Sequence, residues 1–140
     1  MTTAVSKERN ISDLRAAMQN AINQGELIKI EAPLEHYHTD ELYGRRIFVP
    51  AGATVVTMVH KVEHITIALT GHCIVVDEAG EKSEVIAPAV FVTQPGTQRA
   101  VHALTDTQWV TVHACKEKDL ASIEKALVYD NEQPLLGEDV

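Results

Sequence analysis

The chain has 140 residues, 45% of them apolar, with one Trp and two Phe, so Val, Ile, Leu and Ala must fill a single core. Its formal net charge of -8, without any run of basic residues, argues against the Lys/Arg stripe of a phosphate-backbone binder and sets nucleic acid aside as a partner. No apolar stretch reaches the roughly 18 residues of a membrane span, so no membrane partner is expected.

Residues 1–9 lack the apolar core of a signal peptide. Ile11, Leu14, Met18, Ala21 and Ile22 then recur at helical spacing, which predicts a helix over about 11–24. Asn10 is its expected cap, with Asp13 three residues on, and Gly25 its expected stop. This N-terminal helical segment, 1–26, offers one apolar face to a sheet or a partner subunit.

From Leu27 the texture changes to strands. Residues 27–30, 45–49, 53–60, 64–70, 72–77, 82–86, 90–93, 99–104 and 109–114 are short runs rich in β-branched residues, mostly divided by Gly, Pro and polar turns. Residues 35–40 read as a polar loop, and 78–81 as a hairpin turn. Short strands at regular spacing predict an all-β sandwich or barrel over 27–115, and the lack of long helices between them argues against a parallel α/β sheet. Leu120, Ile123 and Leu127 predict a short closing helix within 116–129, capped by Asp119. The acidic tail, 130–140, carries Pro134 and Gly137 and is expected to fray. Cys73 and Cys115 form no Cys-x-x-Cys pair, so buried free thiols in a reducing, cytosolic setting are preferred over a disulfide between them.

The stretch 55–71, VVTMVHKVEHITIALTG, places two apolar runs around the polar corner His60-Lys61-Val62-Glu63-His64. Pro50-Ala51-Gly52, a strand ending in His60, and His64 followed seven residues later by Gly71 resemble the first cupin motif. Gln94-Pro95-Gly96, with Arg99 three past the glycine, resembles the second. The resemblance spans about 42–115 and implies a cupin-type jelly-roll β-barrel, here with an N-terminal helix and a short C-terminal helix. The phrases HKVEHITIALTGHC, FVTQPGTQRAVHA and DTQWVTVHA are also similar to small cupin-like proteins encoded in bacteriophage genomes. That likeness implies a viral source and a product in the host cytoplasm or associated with the virion, and it carries no activity. Metal-binding cupins offer His-x-His, a Glu and a final His. Those places fall here on Met58, His60, His64 and Arg99, so a thioether and a guanidinium stand where ligands are usual. A guanidinium has donors only and cannot ligate a cation.

Alternation along a strand puts Val56 and Met58 on one face with His60, and Thr66 and Ala68 on one face with His64, leaving Ile65, Ile67 and Leu69 outside. Neutral imidazole is the commonest transition-metal ligand, so His60 and His64 are the candidate metal pair, for Zn, Fe, Ni or Mn. A third ligand would come from Glu63, His102, His113 or water. The competing account is two strand-end histidines bonded to backbone or water. Arg99 reads as a fork for a ligand carboxylate or phosphate, or else as a salt-bridge partner of Glu63 or Asp106. Trp109 and His113 share a strand face with Thr111 and read as a ligand-binding wall, with Trp109 otherwise the largest core side chain. Tyr43 is a candidate cavity hydroxyl. His102 has the opposite parity to Arg99, and His36 and His38 read as exposed. No nucleophile elbow, phosphate loop or dinucleotide fingerprint is present. The function expected is binding of a small-molecule ligand or a divalent metal in the barrel of a phage-encoded homo-oligomer. The alternatives are a metal-dependent cupin dioxygenase or isomerase, and a structural or adaptor protein of the virion.

Overall fold

Two antiparallel sheets lie face to face and hold the core and the candidate site between them. The computed structural model describes residues 10–30, 33–128 and 135–139, the side chains of Asn10 and Ser12 excepted. The strands are β1 (Leu27–Ile30), β2 (Leu34–His38), β3 (Leu42–Val49), β4 (Thr54–Val56), β5 (His64–Thr70), β6 (His72–Val76), β7 (Lys82–Ile86), β8 (Ala89–Thr93), β9 (Ala100–Ala103), β10 (Thr107–Ala114) and β11 (Leu135–Asp139). Helix α1 (Asn10–Asn23) precedes them, and α2 (Leu120–Leu127) lies between β10 and β11. One sheet has the order β1-β11-β4-β9-β6-β7, and the other β2-β3-β10-β5-β8. This is the all-β jelly roll with a helix towards each end that the sequence predicts.

Inward residues of both sheets, among them Val49, Val55, Ala68, Val101, Trp109 and Leu136, form the main core. Removing such side chains from water supplies the main driving force for closing the sandwich. Helix α1 packs outside the first sheet, where Ile11 and Met18 meet Val56, Ala100 and Leu135. It ends as expected at Gly25: φ is +77°, and the Gly25 and Glu26 N–H groups donate back to Ile22 and Ala21 at 3.1 and 2.9 Å. The Asn10 side chain, the segment 1–9 and residues 129–134 lie outside the described residues, and with them the expected cap and part of the expected tail.

Three local expectations are corrected. The polar stretch read as a loop is the edge strand β2, paired from Leu34↔Ile47 to His38↔Tyr43. An edge strand with mostly exposed side chains needs no apolar alternation, so polarity misled there. The strand expected to run to His60 stops at Val56. Val55 faces the space between the sheets while Val56 faces α1, so Val56 does not share a face with Met58 and His60. Instead, irregular backbone carries the chain to the site: Thr57 N–H donates to Arg99 at 2.9 Å, and His60 forms an isolated bridge with Val128.

The third correction concerns the tail. Leu135–Asp139 forms β11, inserted between β1 and β4, with Leu27↔Asp139 and Leu135↔Val56 in register. Leu135 and Leu136 are buried, and Gly137 makes room for a neighbour. A Cβ at Gly137 would stand 2.9 Å from Leu27 Cγ and 3.3 Å from Met18 Cε. Cys73 and Cys115 are buried free thiols, and no disulfide joins them.

Candidate metal centre

His64 opens β5, and its inward face continues through Thr66 and Ala68 while Ile65 and Leu69 are exposed. Its Nδ1–H donates to the Val62 carbonyl at 3.0 Å, which leaves Nε2 carrying the lone pair. That Nε2 is buried and has no hydrogen-bond partner among the described residues. Strand β10 lies between β3 and β5, pairing Thr111 with Thr66 and His113 with Tyr43. This register brings His113 beside His64, with ring centroids 4.0 Å apart. His60 arrives from the irregular segment after β4, at 4.4 Å from His64 and 5.7 Å from His113. One nitrogen from each ring lies within 4.8 Å of the others.

All three rings are buried, at 7, 4 and 2% exposure for His60, His64 and His113. Burial pushes His60 down to about 3, and the neighbouring His64, Arg45 and Arg99 push the same way. Burial likewise pushes His113 down to about 2, helped by His64 and His60. His64 is lowered by burial too, against its bond to Val62. The imidazoles are therefore neutral near pH 7. His60 Nδ1, His64 Nε2 and both nitrogens of His113 are buried without partners. Buried polar nitrogens without a partner are costly. A cation removes that cost, and a three-imidazole set suits Zn, Cu, Fe or Ni while leaving coordination positions open. The residues present thus fit a metal.

The third imidazole is His113, which the sequence offered both as a ligand-binding residue and as one of several third ligands. Glu63 is exposed, and His102 is exposed on β9 with its Nδ1 2.8 Å from Thr54 Oγ1. Arg99 does not pair with Glu63 or Asp106. Asp106 instead accepts from the Ala51 N–H at 2.9 Å. Both terminal nitrogens of Arg99 donate to Thr93 Oγ1 at 3.2 Å, and its guanidinium lies 5.2 Å from the Phe91 ring centre. Thr93 is in turn 2.7 Å from the buried Thr66 hydroxyl. Glu78 and Asp77 act on Arg99 only at longer range.

Two cavities meet at the triad. A chamber of about 260 Å³ runs between β2, β3 and α2, with His60 and His113 in its wall. A smaller one, about 50 Å³, is bounded by Arg99, Trp109, Thr111, His60 and His64. Arg45, Met58 and His60 line both. Tyr43 lines the larger chamber, its hydroxyl 2.6 Å from His36 Nδ1, and burial raises its pKa so that it stays a neutral phenol. Trp109 walls the smaller cavity and also packs edge-on against Phe91 at 5.5 Å, so both readings of it hold. Arg45 was missed. Its signal was the alternation Tyr43, Arg45, Ile47, Val49, which turns the first of two adjacent arginines inward.

No protein-family model matches the chain, and no curated protein matches its sequence. Solved structures share its fold. It is similar to a Cupin 2 conserved barrel domain protein from Salinispora arenicola, with TM-score 0.53 at 20% identity over 68% of this chain and 82% of that one. A cupin superfamily protein from Desulfitobacterium hafniense gives TM-score 0.51 at 8% identity, covering 60% and 77%. Salicylate 1,2-dioxygenase from Pseudoaminobacter salicylatoxidans gives TM-score 0.57 at 12% identity, covering 84% of this chain and 34% of that one. The fold is the cupin barrel, and the chain spans about a third of the dioxygenase's length.

Proposed function

We propose that this cupin-fold protein binds a divalent transition metal through His60, His64 and His113, beside a chamber that takes a small ligand. The observation that carries the reading is three buried imidazoles, each with one nitrogen within 4.8 Å of the others and each with a buried nitrogen that has no hydrogen-bond partner among the described residues. Zn, Fe, Ni and Mn are the metals to test, and Mn, which prefers oxygen ligands, should bind weakest. When bound, such a metal supplies Lewis-acid polarisation of a ligand oxygen. The chain's own residues do the rest. Val62 fixes the His64 tautomer, and α2 screens the chamber from water on one side. Untagged protein grown with each metal should carry one ion per chain. Alanine at any one of the three histidines should remove most of it, since two imidazoles alone bind weakly. Protein that stays metal-free and shows no thermal shift with any of the four metals would overturn the reading.

A metal-dependent enzyme is the second reading, favoured by three protein ligands with open positions next to a cavity of about 260 Å³. A purely structural or adaptor role calls for a filled barrel, and the chamber weighs against it. A bacteriophage source, and with it a place in the host cytoplasm or the virion, rests on the three quoted phrases. Self-association completes the proposal: the outer faces of β5 and β8 carry exposed Ile65, Leu69, Val90 and Val92. Edge strand β8 borders that face, so two copies related by a two-fold axis could cover it together.

A further inference from the structure

Two guanidiniums flank the triad, Arg45 in the shared wall of both cavities and Arg99 in the smaller one, against one carboxylate, Glu124, in the wall of the larger chamber. Arg45 and Arg99 both push the pKa values of the imidazoles down. Among the described residues, no ion pair neutralises either guanidinium. Arg99 is held by the Thr93 hydroxyl and Phe91. Arg45, on β3, lies in the shared wall of both cavities, and no hydrogen bond holds it among the described residues. Glu124 of α2 also lines the chamber and acts on Arg45 electrostatically. A metal on the triad would add two further positive charges to this low-dielectric region. A buried charge without a counter-charge is strongly unfavourable, so the loaded site calls for an anion.

The rest of the lining says what kind. Leu34, Met58, Leu120, Ile123, Leu127 and Val128 make most of the chamber apolar. Its volume of about 260 Å³ lies just below the range of drug-sized ligand pockets, so the occupant is small. Inorganic phosphate would leave those apolar walls uncovered. Building on the proposed metal site, we infer that the chamber takes a small organic carboxylate, its head group on the Arg45 guanidinium within reach of the metal and its apolar body against α2. Guanidinium matches a carboxylate with two parallel donors, which a point-charge cation does not.

The test uses the full chain, with and without zinc. Straight-chain carboxylates from acetate to octanoate, and benzoate, are titrated by calorimetry beside their neutral amides and inorganic phosphate. At least one carboxylate of the series should bind about tenfold or more tighter than its amide, and zinc and carboxylate should strengthen each other by the same factor. Arg45→Gln should erase the preference for the charged ligand while zinc alone binds as well or better, because a repelling charge is gone. Arg45→Lys should restore part of the preference. Melting curves check that both variants fold. Carboxylates indistinguishable from amides, phosphate binding tighter than every carboxylate, or an Arg45→Gln variant that keeps the preference would each overturn the inference. If zinc fails to bind the native chain, the metal site falls. The carboxylate-against-amide comparison in metal-free protein then decides the role of Arg45 separately.

Discussion

Three histidines that refuse protons give the molecule its residue-scale signature. A free imidazole protonates near about 6.5, whereas burial holds His60 near about 3 and His113 near about 2 in the folded chain. Between those values the unfolded chain binds protons that the folded site does not. Stability is therefore full above about 6.5 and falls as pH drops from there through about 3. His60 and His113 each steepen that fall, and His64 acts in the same direction. Urea midpoints near pH 7 and near pH 5 should show the loss, and His113→Phe should shrink it. A midpoint independent of pH would contradict the burial of these rings. The same shifts set the pH range over which a metal can be held. Protons compete weakly for lowered imidazoles, so bound metal should persist well below about 6.5, which metal retention after dialysis at falling pH measures. A second residue-scale prediction concerns the pair Thr66–Thr93. Thr66→Val leaves the buried Thr93 hydroxyl with the Arg99 donors but no acceptor for its own proton, and should cost about 1–3 kcal/mol in a denaturant melt.

Elements decide how much of this could be read from the sequence. β5 was legible because its alternation is clean and Gly71 punctuates it. Gly71 has φ +98°, and a Cβ there would stand 2.6 Å from the Asp106 carbonyl. Gly71→Ala is thus both strained and crowded and should cost about 1–3 kcal/mol by thermal melt. β2 and β11 were not legible, since the one is a polar edge and the other owes its burial to β1, β4 and α1 rather than to its own pattern. Motif spacing marked His60 and His64. His113 stands far along the chain, and only the pairing of β10 with β3 and β5 brings it to them. Helix α2 connects element to site. Its cap Asp119 accepts from the Ser122 N–H at 2.9 Å, as the sequence predicts. Asp119→Ala should lower the melting temperature. Because α2 walls the chamber, the same change should raise hydrogen exchange at Ile123 and Leu127 first.

For the whole molecule, the outer face of the second sheet is the feature that the fold leaves unexplained. Val90 is 70% exposed and sits opposite Ile67, while Val92 sits opposite Ile65, so the apolar side chains form rows. Contiguous apolar surface of this kind marks an interaction site on soluble proteins. Light scattering at about ten micromolar should give twice the mass of one chain, a concentration set by a micromolar dissociation constant. Val90→Lys together with Ile65→Lys should return the mass to one chain without lowering metal content. A native chain that scatters as a monomer at that concentration would remove self-association from the proposal.

Strand β11 has a further consequence, one of timing. Leu27 of β1 faces Asp139 of β11, so two neighbours in one sheet are made far apart in time. At roughly 5–20 residues per second, β1 waits on the order of ten seconds after leaving the ribosome for the strand that covers it. Until then β1 lacks its strand partner, and α1 lacks the Leu135 contact of its seat. Chains truncated before Leu135 and released from the ribosome should accordingly be sensitive to protease in 10–30 while 42–115 is protected.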